Sequence, residues 1–107
     1  MKYRKKVGSV LIALCLTTAQ PVYAGDVCKT LEKFAGVVME KRQNGALMSG
    51  LIRVADEQND ESSKDVMKKI ILKAYERSMY STDVYKQKAI TTFKNKIYME
   101  CYRARNK

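Results

Sequence analysis

From Val27 to Met39 the apolar residues fall at Val27, Cys28, Leu31, Phe34, Ala35, Val38 and Met39, with charged residues set between them. Spacings of three and four mark a helix with one buried face. Asp26 stands ahead of this stripe as a candidate N-cap. The segment closes on Arg42-Gln43-Asn44-Gly45, where a cation suits the negative helix end and Gly45 suits a left-handed position. A shorter second helix uses Leu51, Ile52, Val54 and Ala55, with Ser49 as its expected N-cap. The run from Asp56 to Ser63 contains no apolar residue and reads as a solvated connection, its first residues able to extend the second helix.

Ser62 or Ser63 is the expected cap of a third helix, whose stripe is Val66, Met67, Ile70, Ile71, Ala74 and Tyr75. Ser81-Thr82-Asp83 supplies the start signal of a fourth, with Ala89, Ile90, Phe93, Ile97, Cys101 and Ala104 along one face. Lys86, Lys88, Lys94 and Lys96 fall largely outside that face. No strand-like alternation occurs, and no proline follows Pro21. The pattern predicts an all-α fold, a small bundle of about four helices.

The first 24 residues follow a different rule. Lys2, Arg4, Lys5 and Lys6 precede an uncharged stretch from Val7 to Ala19, then Pro21 and Val22-Tyr23-Ala24. A basic head, an apolar middle and a small residue at the end is the pattern of a cleavable secretory leader. The apolar run is shorter than the roughly 20 residues of a spanning helix, which sets the membrane-anchor alternative behind it. Cys15 raises lipid attachment as a further alternative, but Leu14 before it is not the small residue that such a site uses. The expectation is a leader at 1–24, a single helical domain at 25–107 without a transmembrane segment after cleavage, and a periplasmic or secreted location.

Cleavage near Ala24 changes charge and cysteine count. The net charge of +10 falls to +6, and Cys28 and Cys101 are the two cysteines left. In an oxidising compartment two cysteines in a small domain read as a disulfide, here joining the first helix to the last. Buried free thiols, an intermolecular bridge and a redox pair are the alternatives. The last has little support because there is no C-x-x-C spacing.

Charge is also unevenly spread. Residues 25–63 carry a net −2 and residues 64–107 a net +8. Lys64, Lys68, Lys69, Lys73 and Arg77 gather along the third helix, and Arg103 and Arg105 lie near the C-terminus. As a functional face they suit an acidic partner, either an acidic protein or an anionic envelope component. As a solvated surface they need no partner at all.

The chain has no histidine. Ser-His-Asp and Cys-His catalysis in their usual forms are therefore excluded, along with the commonest metal ligand. No glycine-rich phosphate cradle or G-x-S-x-G elbow is present, and the carboxylates of Asp56, Glu57, Asp60 and Glu61 lack EF-hand spacing. The sequence nominates no catalytic residue, no metal ligand and no cofactor. Tyr75, Tyr80, Tyr85, Tyr98 and Tyr102 interleave with the cations, a composition that suits single-stranded nucleic acid, but export argues against that partner.

Ala35-x-x-Val38-Met39-x-x-Arg42-Gln43-x-Gly45-x-x-Met48-Ser49, followed by Tyr98-x-x-Cys101, resembles a family of small exported helical bacterial proteins found in genomes and prophage regions. The resemblance covers roughly residues 28–55 and 89–102. It implies export, helices and paired cysteines, and it implies no activity. Physically, the Arg-Gln-x-Gly block reads as a helix stop and tight turn before the next helix. The expected function is that of a non-enzymatic interaction protein. The alternative is a chaperone-like or stress-response protein, an analogy with acid-activated periplasmic chaperones that rests on architecture alone. Partner and oligomeric state are not readable from the sequence.

Overall fold

The computed structural model describes residues 23–106. The basic head of the expected leader, its apolar stretch and Cys15 lie outside the described residues. Among the described residues four helices follow in order: α1 (Tyr23–Gln43), α2 (Met48–Asp56), α3 (Glu61–Tyr75) and α4 (Asp83–Arg105). The expected all-α bundle of four helices is the observed architecture.

Helices α1 and α4 form the main interface and run antiparallel. Three contacts fix their register. Cys28 is joined to Cys101 with 5.5 Å between their Cα atoms; the stem of Lys94 crosses Gly36; and the Lys86 ammonium donates to the Gln43 carbonyl. Helix α3 packs against α1, and α2 packs chiefly on α3. The predicted disulfide thus closes one end of the α1–α4 pair, as the placement of the two cysteines required.

The core lies where the three long helices meet. Ala35, Val38, Met39, Ile70, Ile71, Ala74, Phe93 and Ile97 are buried there, with Ala55 contributed by α2. Leu31, Phe34, Met67, Ala89 and Ile90 pack around this centre. Each comes from the stripe predicted for its helix. Burying the larger of these side chains, Val38, Met39, Ile70, Ile71, Phe93 and Ile97, contributes roughly 1.5–3 kcal/mol apiece, which makes the stripe the main source of cohesion. Burial gives out at two stripe ends, where Val66 and Ala104 are exposed, and at Val54 on the outer side of α2.

Local signals fared differently at the helix starts. Asp26 lies within α1, since that helix already includes Tyr23. Ser49 lies inside α2, whose N-cap is Leu47, and no side chain caps that end. For α3 the cap is Asp60 rather than Ser62 or Ser63. Its carboxylate accepts from both the backbone N–H and the hydroxyl of Ser63, at 2.9 Å each. A carboxylate that takes two donors at the positive helix end outcompetes a serine one turn later. The fourth helix starts within the expected Ser81-Thr82-Asp83 signal, and there Thr82 is the cap, accepting from the Tyr85 amide.

The end of α1 is a Schellman turn. The Ala46 amide reaches back to the Lys41 carbonyl at 2.9 Å and the Gly45 amide to Arg42 at 3.1 Å. That geometry needs a positive φ at Gly45, which is 86°.

Candidate functional site

The two residues before this turn do more than end a helix. The Arg42 guanidinium donates from Nε and Nη2 to the Arg77 carbonyl, at 3.1 and 2.8 Å. It also lies 5.1 Å from the centre of the Tyr75 ring. Gln43 is 2 % exposed. Its Nε2 donates to the Ser78 carbonyl and its Oε1 accepts from the Tyr80 amide, both at 2.8 Å. From the other side the Tyr75 hydroxyl donates to the Ala46 carbonyl at 2.6 Å. Partial burial raises the pKa of that hydroxyl above its ordinary 10.0, with Arg42 pulling the other way. Together these contacts clamp the α3–α4 connection to the end of α1.

The clamp accounts for a departure from the expected basic face. Arg77 was expected on the third helix beside Lys73, but α3 ends at Tyr75. With the carbonyls of Arg77 and Ser78 held by Arg42 and Gln43, the chain is drawn out of the helix. The Arg77 guanidinium sits 5.9 Å from the centre of the Phe93 ring. It belongs to the clamped end of the molecule.

The other candidate cations also divide. Lys64 pairs with Glu61 at 3.1 Å, one turn away on α3. Lys68 crosses to Asp56 at 2.5 Å, tying α3 to α2, and that hydrogen bond raises its pKa above the ordinary 10.5. Lys73 meets Glu100 at 2.8 Å, and Lys96 meets the other oxygen of the same carboxylate at 3.1 Å. The hydrogen bond from Lys73 is the chief cause that holds Glu100 below its ordinary 4.5, with Lys96 adding to it and partial burial opposing both. Lys69, Arg103 and Arg105 are exposed and have no ion-pair partner among the described residues.

Lys69 and Arg105 flank a groove. Two adjoining hollows of about 540 and 430 Å³ share Val27, Leu31, Val66 and Arg105 along their linings. Phe34 and Met67 extend the floor of one, and Ile70 and Ile97 that of the other. Lys69, Lys73, Glu100 and Arg105 line the second beside the disulfide at Cys101. The bundle stops burying its stripe here, so apolar floor and cationic edge occur side by side. The positions forming this floor were legible as helical stripe residues. That Val66 and Val27 would edge an open groove was not, because periodicity identifies a face and not what covers it.

Among the described residues no group of three or more Cys, Asp or Glu side chains is placed to share a metal ion. Among the same residues no helix is long and apolar enough to cross a membrane. Compared with known protein families, with curated proteins and with solved structures, the chain shows no match.

Proposed function

We propose that this is a non-enzymatic interaction protein of the periplasm or the external medium, and that it docks an acidic partner along the α3 and C-terminal α4 surface. The observation that carries this reading is the groove whose apolar floor is flanked by Lys69 and Arg105, two cations without carboxylate partners among the described residues. Lys64, Lys68 and Lys73 already serve acids of the chain itself, so they add less to an outside contact. Charge-only docking would leave the floor without purpose, and apolar docking alone would leave the edge without one. The partner is therefore an acidic segment that also presents apolar side chains, such as an exposed region of an envelope protein.

The test is fluorescence anisotropy with a labelled amphipathic acidic peptide. Binding should weaken as salt rises and should be lost in the Lys69→Glu/Arg105→Glu double variant. Lys64→Glu should change it little. Equal binding by the double variant would reject the reading.

A second reading, a chaperone-like protein that responds to acid, draws support from the position of Glu100. Its carboxylate links α3 to α4 at the groove, and protonation would release Lys73 and Lys96. Acidification should then expose more apolar surface. An apolar-dye signal that stays flat from neutral to strongly acidic pH would sink this alternative.

A further inference from the structure

The opposite end of the α1–α4 pair holds a separate cleft of about 260 Å³. Met39, wholly buried from solvent, lies beneath it. Tyr80 and Tyr85 form one wall, their ring centres 6.1 Å apart and their planes tilted by 37°. Both residues are around half exposed, at 43 and 55 %. Arg77, Lys88, Ala89 and Thr92 complete the lining, and none of the lining residues carries a carboxylate. Lys88 holds its ammonium 5.8 Å from the centre of the Tyr85 ring.

The clamp sets this arrangement before any ligand arrives. Gln43 fixes the Ser78 carbonyl and the Tyr80 amide, and Arg42 fixes the Arg77 carbonyl. The backbone carrying Arg77 and Tyr80 is thereby ordered in advance, which lowers the ordering cost of binding. The Arg42-Gln43 block thus has a second consequence beyond helix termination: it builds the cleft wall.

Size and chemistry restrict what fits. A cavity of about 150 Å³ accepts a benzene-sized ring, so this cleft holds one six-membered ring together with a small charged group. Tyrosine faces pack against a sugar or an arene, and their hydroxyls remain free to hydrogen-bond. Two cations that make no ion pair among the described residues favour a carboxylate or phosphate. The geometry points to a binding site for a small ring-bearing anion, either a sugar phosphate or an aromatic carboxylate, in the cleft between Tyr80, Tyr85, Arg77 and Lys88. This site is independent of the groove at the other end of the bundle.

The test is a titration of the isotopically labelled, disulfide-intact protein followed by amide NMR. The probes are glucose 6-phosphate, benzoate, glucose and inorganic phosphate. At millimolar concentration a ring-bearing anion should shift the amides of Tyr80, Tyr85 and Lys88 and leave those of Lys69 and Arg105 in place. Response to glucose 6-phosphate alone assigns a saturated ring, and response to benzoate alone an aromatic one. Lys88→Gln and Tyr85→Leu, both at exposed positions, should each weaken binding by roughly tenfold, the loss of one charge-assisted contact or one ring face. The proposal is overturned if neither ring-bearing anion moves the cleft amides. It is equally overturned if inorganic phosphate binds as well as glucose 6-phosphate and benzoate does not bind, since the ring then contributes nothing.

Discussion

The side-chain oxygen of Gln43, in the last turn of α1, accepts the amide hydrogen of Tyr80 across 37 positions of sequence, at 2.8 Å. The same side chain donates to the Ser78 carbonyl at 2.8 Å, so one amide group satisfies a donor and an acceptor of the α3–α4 connection. Gln43→Ala leaves both backbone groups to partial hydration and should cost about 2–3 kcal/mol. For a domain of this size that lowers Tm by roughly 10 °C or more. Thermal unfolding followed by circular dichroism checks the magnitude, and hydrogen exchange checks the cause. The Tyr80 amide should exchange much faster while amides in the middle of α1 change only with global stability.

Gly45 and Gly50 provide a paired comparison. A Cβ at either position would have open space around it. Their backbones differ, because Gly45 sits at φ 86° and Gly50 lies in the first turn of α2. Gly45→Ala should destabilise by about 1 kcal/mol through left-handed strain. Gly50→Ala should stabilise by some tenths of a kcal/mol up to about 1, because alanine loses less backbone entropy in a helix. Opposite signs in urea unfolding would separate backbone conformation from steric space as the cause.

Helical periodicity was enough to place Ala35, Val38, Met39, Ile70, Phe93 and Ile97 in one core, because a bundle buries the stripe of each helix almost regardless of loop detail. The pairing of Cys28 with Cys101 was expected because two cysteines remain in a small domain expected to be exported, and their places at the start of one helix and the end of another then implied that those ends meet. Helix starts were less legible, because Asp60, Ser62 and Ser63 all have suitable side chains and only geometry decides among them. The clamp was missed altogether. Side-chain bonds to the carbonyls of Arg77 and Ser78 are made between distant segments, and carbonyls carry no residue identity. One signal was present: Gln43 stands four residues beyond Met39, so it continues a buried stripe with a polar side chain. A polar group in that position calls for partners. The division of the cations was illegible for a related reason, since pairing of Lys68 with Asp56 and Lys73 with Glu100 depends on helix packing.

The Cys28–Cys101 bridge closes a loop of 73 positions. In the chain-entropy view such a loop contributes about 4 kcal/mol by restricting the unfolded chain. Cys28→Ser/Cys101→Ser should therefore lower Tm by roughly 15–30 °C. Adding reductant to the unmodified protein should approach the same value, whereas the double variant should not respond to reductant. The loss should be larger than that of Gln43→Ala, although the bridge lies at the bundle's end, because its effect falls on the unfolded ensemble.

Glu100 gives the fold a defined acid limb. Its carboxyl is held below the ordinary 4.5 chiefly by the hydrogen bond from Lys73, so the unfolded chain binds the proton more tightly than the folded one. Its stabilising contribution is complete above about pH 4.5 and disappears as pH falls through the lower folded value. Glu100 and Lys73 are both more than a third exposed, at 36 and 41 %, which limits the pair to at most about 1 kcal/mol. Glu100→Gln should accordingly lower stability by that amount or less at pH 7. The difference from the unmodified protein should shrink steadily below pH 4.5 and vanish once Glu100 is protonated in both folded and unfolded chains. Lys73→Met should reduce the same acid limb without abolishing it, because Lys96 still reaches the second oxygen at 3.1 Å. Urea unfolding at a series of pH values measures both differences. A gap between the Glu100→Gln and unmodified proteins that stayed constant down to strongly acidic pH would assign its effect to packing at the groove edge instead of charge.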